Sequence, residues 1–177
     1  LYLLDNAGRV LVFDRNGDPI RQWDMPESDV GNPEGICVLA NGHIAVADTH
    51  YHRVVVFDAS GHVLTMIGQE GQADGDFYCP CAVVAADQGN RFVSEYGGSN
   101  RVQKFDGDWQ HMLTFGGIGD RPGEFQRPSG MAWHDGRLYI VDAFNDRIQV
   151  FDGQGRFLKI LGTQDETSRL HYPYDIA

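Results

Sequence analysis

Basic residues are scarce in this chain, and long apolar runs are absent. Lys and Arg number 14 against 25 Asp and Glu in 177 residues, so the formal net charge is −11. Proteins that bind a phosphate backbone need basic surfaces, and this balance therefore argues against a nucleic-acid partner. Because no apolar run reaches the roughly 18 residues that a membrane-spanning helix requires, no membrane span is expected.

Cysteine is also rare, and its pattern excludes two common kinds of site. Cys37, Cys79 and Cys81 are an odd number without CxxC spacing, so neither a disulfide framework nor a zinc-ligand set is predicted. We expect them to be small apolar residues or unreactive thiols, and no cofactor is predicted. Helical spacing of apolar residues is missing too, since no window keeps it for more than a turn or two.

Glycine, in contrast, is abundant. There are 22 glycines in 177 residues, about 12% against a typical ~7%. The hydrophobic fraction of 42% is that of a chain that folds, and the length suits one domain. This much glycine without a collagen period indicates many tight turns, and hence many short strands.

The prolines reveal an internal repeat. Pro33, Pro80, Pro128 and Pro173 follow one another at intervals of 47, 48 and 45 residues, and each precedes a short apolar stretch. Each unit then contains three further runs: one that ends in an acid, one that opens with arginine, and one that leads to the next linker. The acid-ended runs are 1–5, 43–48, 91–95 and 137–142, the arginine-led runs are 9–14, 53–58, 101–106 and 147–152, and the last runs are 19–23, 63–68, 112–116 and 157–162.

These runs predict an all-β fold with four strands per unit. They are four to six residues long, rich in β-branched and aromatic residues, and separated by turns such as Asp14 to Gly17. A period near 46 with four strands per unit is typical of a β-propeller. The predicted repeat equivalents are about 1–32 plus a closing strand at 173–177, 33–79, 80–127 and 128–172.

The repeat resembles the NHL family. Residues 100–106 (NRVQKFD) and 146–152 (DRIQVFD) are similar to the arginine-led strand of that motif, and the linkers 75–77 (GDF) and 123–125 (GEF) precede the repeat prolines. The resemblance extends over essentially the whole chain and implies a propeller of four-stranded blades. NHL propellers serve as interaction scaffolds, RNA-binding domains, lyases and lactonase-like enzymes, so the resemblance is informative for fold and much less so for function.

The number of blades has two possible explanations. Family members usually have six blades, which implies that this chain is a segment of a larger propeller. Alternatively, the strand at 173–177 completes the blade begun by residues 1–5, which gives a closed ring of four blades. Both remain open at this point.

Residues that recur in every unit are expected to serve the blade rather than a site. Four acids stand at strand ends and four arginines open the next strand, a spacing that favours structural ion pairs within or between blades. These residues are Asp5, Asp48, Glu95 and Asp142, and Arg9, Arg53, Arg101 and Arg147.

Candidate binding residues are those that break the pattern. In a propeller, the loops between strands two and three lie on the same face as the linkers between blades, and the irregular side chains of this chain gather there. We expect this face to bind a partner, with no catalytic residue or metal ligand assigned. The predicted binding residues are Glu34, His50, Tyr51, Cys81, Tyr96, Ser129, Phe144, Asn145, His171 and Tyr174.

Three functions are weighed. The favoured one is a non-enzymatic scaffold that binds a protein or peptide. The alternative is a metal-dependent lyase or hydrolase at the channel mouth, similar to peptidylglycine-amidating lyases or to lactonase-like enzymes, for which His50, His52 and His171 are the candidate ligands, although no ligand-spacing motif supports them. RNA binding is third, because it needs a basic face that 14 basic residues hardly supply.

Overall fold

The protein is built of antiparallel β-strands in four sheets, which we number blade 1 to blade 4. The computed structural model describes residues 1–162 and 168–177. In blades 2 to 4 four strands are hydrogen-bonded in sequence order, and blade 1 has three strands. The strands are β1 (Tyr2–Leu4), β2 (Arg9–Phe13) and β3 (Pro19–Asp24) in blade 1, and β4 (Gly35–Val38), β5 (Ile44–Asp48), β6 (Arg53–Phe57) and β7 (Val63–Ile67) in blade 2. Blade 3 contains β8 (Pro80–Ala85), β9 (Arg91–Glu95), β10 (Arg101–Phe105) and β11 (His111–Gly116), and blade 4 contains β12 (Pro128–His134), β13 (Arg137–Asp142), β14 (Arg147–Asp152) and β15 (Phe157–Leu161).

The predicted all-β fold is confirmed, and each sheet lies inside one predicted repeat unit. Among the described residues, three short 3-10 segments connect consecutive strands, at Thr49–Tyr51, Asp87–Gly89 and Ala143–Asn145. No helix among the described residues is long and apolar enough to cross a membrane.

The closing strand predicted at residues 173–177 does not form. These residues have no strand conformation, and β1 pairs with β2 alone among the described residues. The segment instead lies beside β12, where the carbonyl oxygen of Tyr174 accepts the Gly130 N–H at 3.1 Å and the Ser129 hydroxyl at 2.8 Å. The structure therefore does not show a closed ring of four blades.

The hydrophobic core consists of layers between consecutive blades. One layer joins blades 1 and 2, a second joins blades 2 and 3, and a third joins blades 3 and 4. The second strands β5 and β9 are buried along their whole length, because both of their faces are covered. The outer strands β3 and β7 are largely exposed at the rim.

Each of two linkers between blades carries a phenylalanine into these layers. Phe77 and Phe125 are fully buried and pack on Phe105 and Phe151, with ring centroids 5.7 and 5.6 Å apart. The linkers that enter blade 3 (residues 68–79) and blade 4 (residues 117–127) therefore have equivalent anchors.

The predicted Asp-to-Gly turns are confirmed between the third and fourth strands of the repeat unit, at the ends of the strands away from the linkers. Asp14 Oδ1 accepts the backbone N–H groups of Asn16 at 2.8 Å and Asp18 at 2.9 Å, and Gly17 takes a φ of +90°. Glycine suits that left-handed position because it has no Cβ. Asp58 with Gly61 and Asp152 with Gly155 repeat the arrangement.

Candidate functional site

The repeated acids and arginines form ion pairs within the blades, as predicted. The shortest nitrogen-to-oxygen distances are 2.6 Å for Arg9 with Asp5, 2.8 Å for Arg53 with Asp48, 2.8 Å for Arg101 with Glu95 and 2.7 Å for Arg147 with Asp142.

The two arginines of blades 3 and 4 also hold the linker that enters their own blade. Arg101 donates to the carbonyl oxygens of Gln72, Ala73 and Asp76, at 2.7 to 3.2 Å. Arg147 donates in the same way to carbonyl oxygens of residues 120, 121 and 124. Because the fork of the guanidinium satisfies a carboxylate and several carbonyls at once, it fixes the loop between strands two and three against the linker.

A buried glutamine completes this network in blades 3 and 4. Gln103 Nε2 donates to Glu95 Oε1 at 2.7 Å and to the Asp76 carbonyl at 2.7 Å, while its Oε1 accepts the Gly75 N–H at 2.8 Å. Gln149 makes the equivalent bonds in blade 4. Burial raises the pKa of Glu95, and the bonds from Arg101 oppose that shift.

Blade 2 lacks this glutamine, because Val55 stands at the corresponding position and packs in the layer between blades 1 and 2. Asp48 Oδ1 and Arg53 Nη2 are there buried without a hydrogen-bond partner. We call the face that carries the linkers and the loops between strands two and three the loop face. Its buried polar side chains have more of their hydrogen bonds satisfied at blades 3 and 4 than at blade 2.

Three of the predicted binding residues meet at the centre of the loop face. The Tyr96 hydroxyl donates to Glu34 Oε1 at 2.9 Å, and the Tyr174 hydroxyl donates to Glu34 Oε2 at 3.4 Å. Burial, with the Glu34 carboxylate as the second cause, raises the pKa of Tyr96. The Glu34 carboxylate therefore bridges Tyr96, which follows β9 of blade 3, and Tyr174, which lies in the C-terminal segment.

Arg127, which is not among the predicted binding residues, lies on the Tyr96 ring of this cluster. Its guanidinium carbon is 4.4 Å from the centroid of the Tyr96 ring and 5.8 Å from that of Phe144. Its backbone N–H donates to Asn100 Oδ1 at 2.9 Å, which holds the residue in a left-handed conformation with φ of +59°. Its Nε is buried without an acceptor, and no carboxylate of the described residues lies within 4.0 Å of its side chain.

A groove of about 560 Å³ runs beside this arginine between blades 3 and 4. Tyr96, Arg127 and Phe144 line it together with Ile118, which is 72% exposed. Phe144 is 57% exposed and stacks on Tyr172, with ring centroids 5.6 Å apart. These side chains form one aromatic and aliphatic surface with a single cation at its edge, and we call it the Arg127 groove.

The Arg127 groove uses two residues, Arg127 and Tyr172, that directly precede repeat prolines. A signal for them was present, since the residue before the repeat proline differs in every unit: Asn32, Cys79, Arg127 and Tyr172. Cys79, Arg127 and Tyr172 all take a positive φ, so this turn presents an irregular side chain at the loop face. Ile118 carried no signal, because it stands in a glycine-rich linker.

Cys81 and Ser129 line a second cavity, of about 420 Å³, between the first strands. The Cys81 thiol is buried against Ser94 Oγ at 3.2 Å and the Pro128 carbonyl oxygen at 3.0 Å. Burial raises the pKa of Cys81 to about 12, so the thiol stays protonated at neutral pH and is not a nucleophile there. The Ser129 hydroxyl donates to the Tyr174 carbonyl oxygen, so it holds the C-terminal segment against β12.

The remaining predicted residues do not join the Glu34 cluster. His50 Nδ1 lies 3.1 Å from the Asn32 carbonyl, and the Tyr51 hydroxyl donates to the Asp29 carboxylate. Asn145 donates to the Gly119 carbonyl and to Asp142, so it supports the blade 4 network. His171 is exposed.

The three histidines considered for a metal are likewise not gathered into a ligand set. His52 Nδ1 accepts the Cys79 N–H at 3.1 Å, and its ring packs on Tyr78 with centroids 5.1 Å apart. Across residues 1–162 and 168–177, no group of three or more His, Cys, Asp or Glu side chains is placed to hold a metal ion.

Comparisons with known proteins agree with the repeat pattern. A sequence model of the NHL repeat matches residues 31–57. Protein brain tumor of Drosophila melanogaster is 28% identical over 143 residues, which cover 80% of this chain and 13% of that protein. NHL repeat-containing protein 3 of Homo sapiens is 26% identical over 163 residues, which cover 84% of this chain and 46% of that protein. The chain thus spans less than half the length of these relatives.

Solved structures show the same architecture. Virginiamycin B lyase from Staphylococcus aureus aligns with a TM-score of 0.70 at 15% identity, covering 96% of this chain and 52% of the lyase chain. At this identity the likeness concerns the fold alone.

The antiparallel sheets share one repeat length and pack face to face, and the first strands β4, β8 and β12 line a common cavity. This arrangement defines a β-propeller architecture. The NHL-repeat match at residues 31–57 and the similarity to NHL repeat-containing protein 3 support an NHL-repeat family for this propeller.

Proposed function

We propose that this chain is a binding propeller whose Arg127 groove takes a segment of a protein or peptide partner. The observation that carries the proposal is the exposure of Ile118 and Phe144 beside an arginine that has no carboxylate partner among the described residues. Exposed apolar and aromatic side chains that share one groove are typical of interaction sites.

The apolar part of the groove favours an apolar side chain of the partner. Phe144 and Ile118, which line the same groove, are 57% and 72% exposed, so an apolar side chain inserted there would cover apolar surface that is now in water. Burial of apolar surface stabilises by about 25 cal/mol per Å², and a few such contacts dominate the affinity of most interfaces.

The charge of Arg127 favours an acidic residue next to that apolar side chain. A guanidinium stacked on an aromatic ring keeps its edge available for a carboxylate, and such charge-assisted hydrogen bonds are the stronger ones. The guanidinium lies on the Tyr96 ring, and no carboxylate among residues 1–162 and 168–177 lies within 4.0 Å of it. A partner with an apolar residue adjacent to Asp or Glu matches both features.

The groove is also held in place before any partner arrives. Tyr96 is tied to Glu34, and the backbone of Arg127 is tied to Asn100. Since little side-chain freedom is lost on binding, the contacts contribute more of their energy to affinity.

Selection from a phage-displayed library of random peptides against the immobilised protein tests the proposal. Enriched peptides, resynthesised and measured by fluorescence anisotropy, are expected to bind Phe144→Ala about tenfold or more weakly than the natural chain. The matched control is Leu64→Ala, since Leu64 is an exposed apolar residue on β7 at the rim of blade 2. Equal binding by Phe144→Ala, or failure to enrich any peptide, contradicts the proposal.

The alternative function, a metal-dependent lyase or hydrolase, has no ligand set among the described residues that favours it. Metal analysis of the purified protein tests it directly. Stoichiometric metal that is lost in His171→Ala would place the enzyme ahead of the binding scaffold. RNA binding stays third, and a nanomolar, steeply salt-dependent affinity for single-stranded RNA would reverse that order.

A further inference from the structure

Lys104 breaks the repeat at a position that is otherwise apolar. The corresponding residues of the other third strands are Val12, Val56 and Val150, and all four lie in the interior of their sheets. Lys104 is only 5% exposed. A blade therefore does not need a charged residue here, and blade 3 buries one.

The positive charge of the Lys104 ammonium group is balanced by few contacts with the protein. Nζ donates to the Gly153 carbonyl of blade 4 at 2.7 Å and lies 5.7 Å from the centroid of the Phe92 ring. No carboxylate of the described residues lies within 4.0 Å of it. An ammonium carries three donors, and a buried cation without a counter-charge is costly.

Lys104 lines a cavity of about 240 Å³ between blades 3 and 4, at the turn ends of the strands and away from the Arg127 groove. Trp133 lines the same cavity, and its Nε1 is buried without a hydrogen-bond acceptor. The Trp133 ring stacks on Phe92 with centroids 5.6 Å apart, which gives the cavity a flat apolar wall. The side chains of Gln88, Asn90 and Gln154 complete the polar lining.

We propose that this cavity binds a small organic carboxylate, with its negative charge on the Lys104 ammonium and its apolar part on the Trp133 ring. The Trp133 Nε1–H lacks an acceptor and the Lys104 ammonium lacks a counter-charge, and a carboxylate has two oxygens that accept hydrogen bonds. A single negative charge balances the single cation. The exposed carboxylate of Asp87 at the same cavity disfavours a dianion such as phosphate.

Selective labelling of lysine makes a direct test, because the chain contains two lysines, Lys104 and the exposed Lys159. Lysine labelled with 13C at Cε is followed by NMR while sodium acetate is added at constant ionic strength. We expect a saturable shift of the Lys104 signal and of the Trp133 indole N–H, with Lys159 unmoved. Equal drift of both lysines would show an adventitious ion only and would overturn the proposal.

Two variants separate a binding site from a structural contact between blades. Lys104→Val restores the residue of the other blades, so it should fold, and we expect acetate to leave its Trp133 indole signal unchanged. Trp133→Phe keeps an aromatic wall but removes the N–H, and we expect acetate affinity to fall about threefold to tenfold. The proposal is overturned if acetate shifts the Trp133 indole signal of Lys104→Val as much as that of the natural chain. It is also overturned if inorganic phosphate binds more tightly than acetate, or if the natural chain shows no saturable shift.

Discussion

The hydroxyl of Tyr96 donates a 2.9 Å hydrogen bond to the carboxylate of Glu34, 62 residues earlier in the chain. The other side of the Tyr96 ring carries the Arg127 guanidinium. The Tyr96 side chain thus contacts both the Glu34 carboxylate and the Arg127 guanidinium.

Tyr96→Phe should separate the two roles of this ring. The hydrogen bond to Glu34 is lost, and because Glu34 is partly exposed we expect a cost of about 1 kcal/mol in the free energy of unfolding. The aromatic platform under Arg127 remains, so peptide affinity should change by less than about threefold. Urea unfolding and anisotropy with a selected peptide measure the two effects. Tyr2→Phe, on β1 of blade 1 and outside the Arg127 groove, is the control, and a large loss of affinity in Tyr96→Phe would show that the hydroxyl itself contacts the partner.

Gln103→Val should destabilise the protein by about 1–3 kcal/mol. The substitution copies the residue of blade 2, but it removes the side-chain acceptor of the Gly75 N–H and one of the two hydrogen bonds to Oε1 of the buried Glu95, which keeps the bond from Arg101. Urea unfolding followed by tryptophan fluorescence measures the loss. Gln110→Val, at an exposed turn position, is expected to change stability little, and equal effects of both substitutions would contradict the role given to the Gln103 network.

Gly116→Ala should destabilise far more than Gly123→Ala, although both glycines have a positive φ. A Cβ at Gly116 would lie 2.6 Å from the buried Phe125 ring, whereas at Gly123 nothing lies within 4 Å. Backbone strain costs about 1 kcal/mol at either site, and overpacking adds about 1–3 kcal/mol at Gly116. Thermal unfolding compares the variants directly, and similar losses in both would argue against the packing of Gly116 on Phe125.

Asp58→Asn should reveal a stabilisation that depends on pH. The hydroxyl of Ser60, followed by backbone N–H groups, lowers the pKa of Asp58 below its ordinary value of 3.8. A lowered pKa stabilises the folded state above the unfolded pKa, and this stabilisation is lost as pH falls through the folded pKa. The difference in urea midpoint between the natural chain and Asp58→Asn should therefore narrow as the pH is lowered from about 5 to about 2. A difference that stays constant over this range, or an equal one for the exposed Asp108→Asn, would contradict the assignment.

Much of the fold was readable from local pattern. The turn that begins at Asp58 and the ion pair of Arg147 with Asp142 join residues a few positions apart, so their spacing is visible in the sequence. The repeat then served as a control, because a feature present in every unit belongs to the blade. The closing strand at 173–177, one of the two alternatives for the number of blades, is not seen, because this stretch has no strand conformation and lies beside β12 without pairing to β1.

The candidate site was only partly predicted. Glu34, Tyr96, Phe144 and Tyr174 were predicted for the loop face, whereas the side chains of His50, Tyr51 and Asn145 contact Asn32, Asp29 and Asp142 outside the Glu34 cluster. Arg127 stands at the variable position before a repeat proline, but its neighbours in the sequence do not show that its guanidinium lies on the Tyr96 ring.

The sequence by itself determined the strand pattern, the turns and the repeat, because these depend on contacts between residues close together in the chain. Only the tertiary structure decided which pattern-breaking residues meet. Glu34 comes from one unit, Tyr96 and Arg127 come from positions 31 residues apart in the next, and Lys104 and Trp133 line one cavity from two blades. Such juxtapositions follow from the packing of blades against one another, and the spacing of residues within one repeat does not encode it.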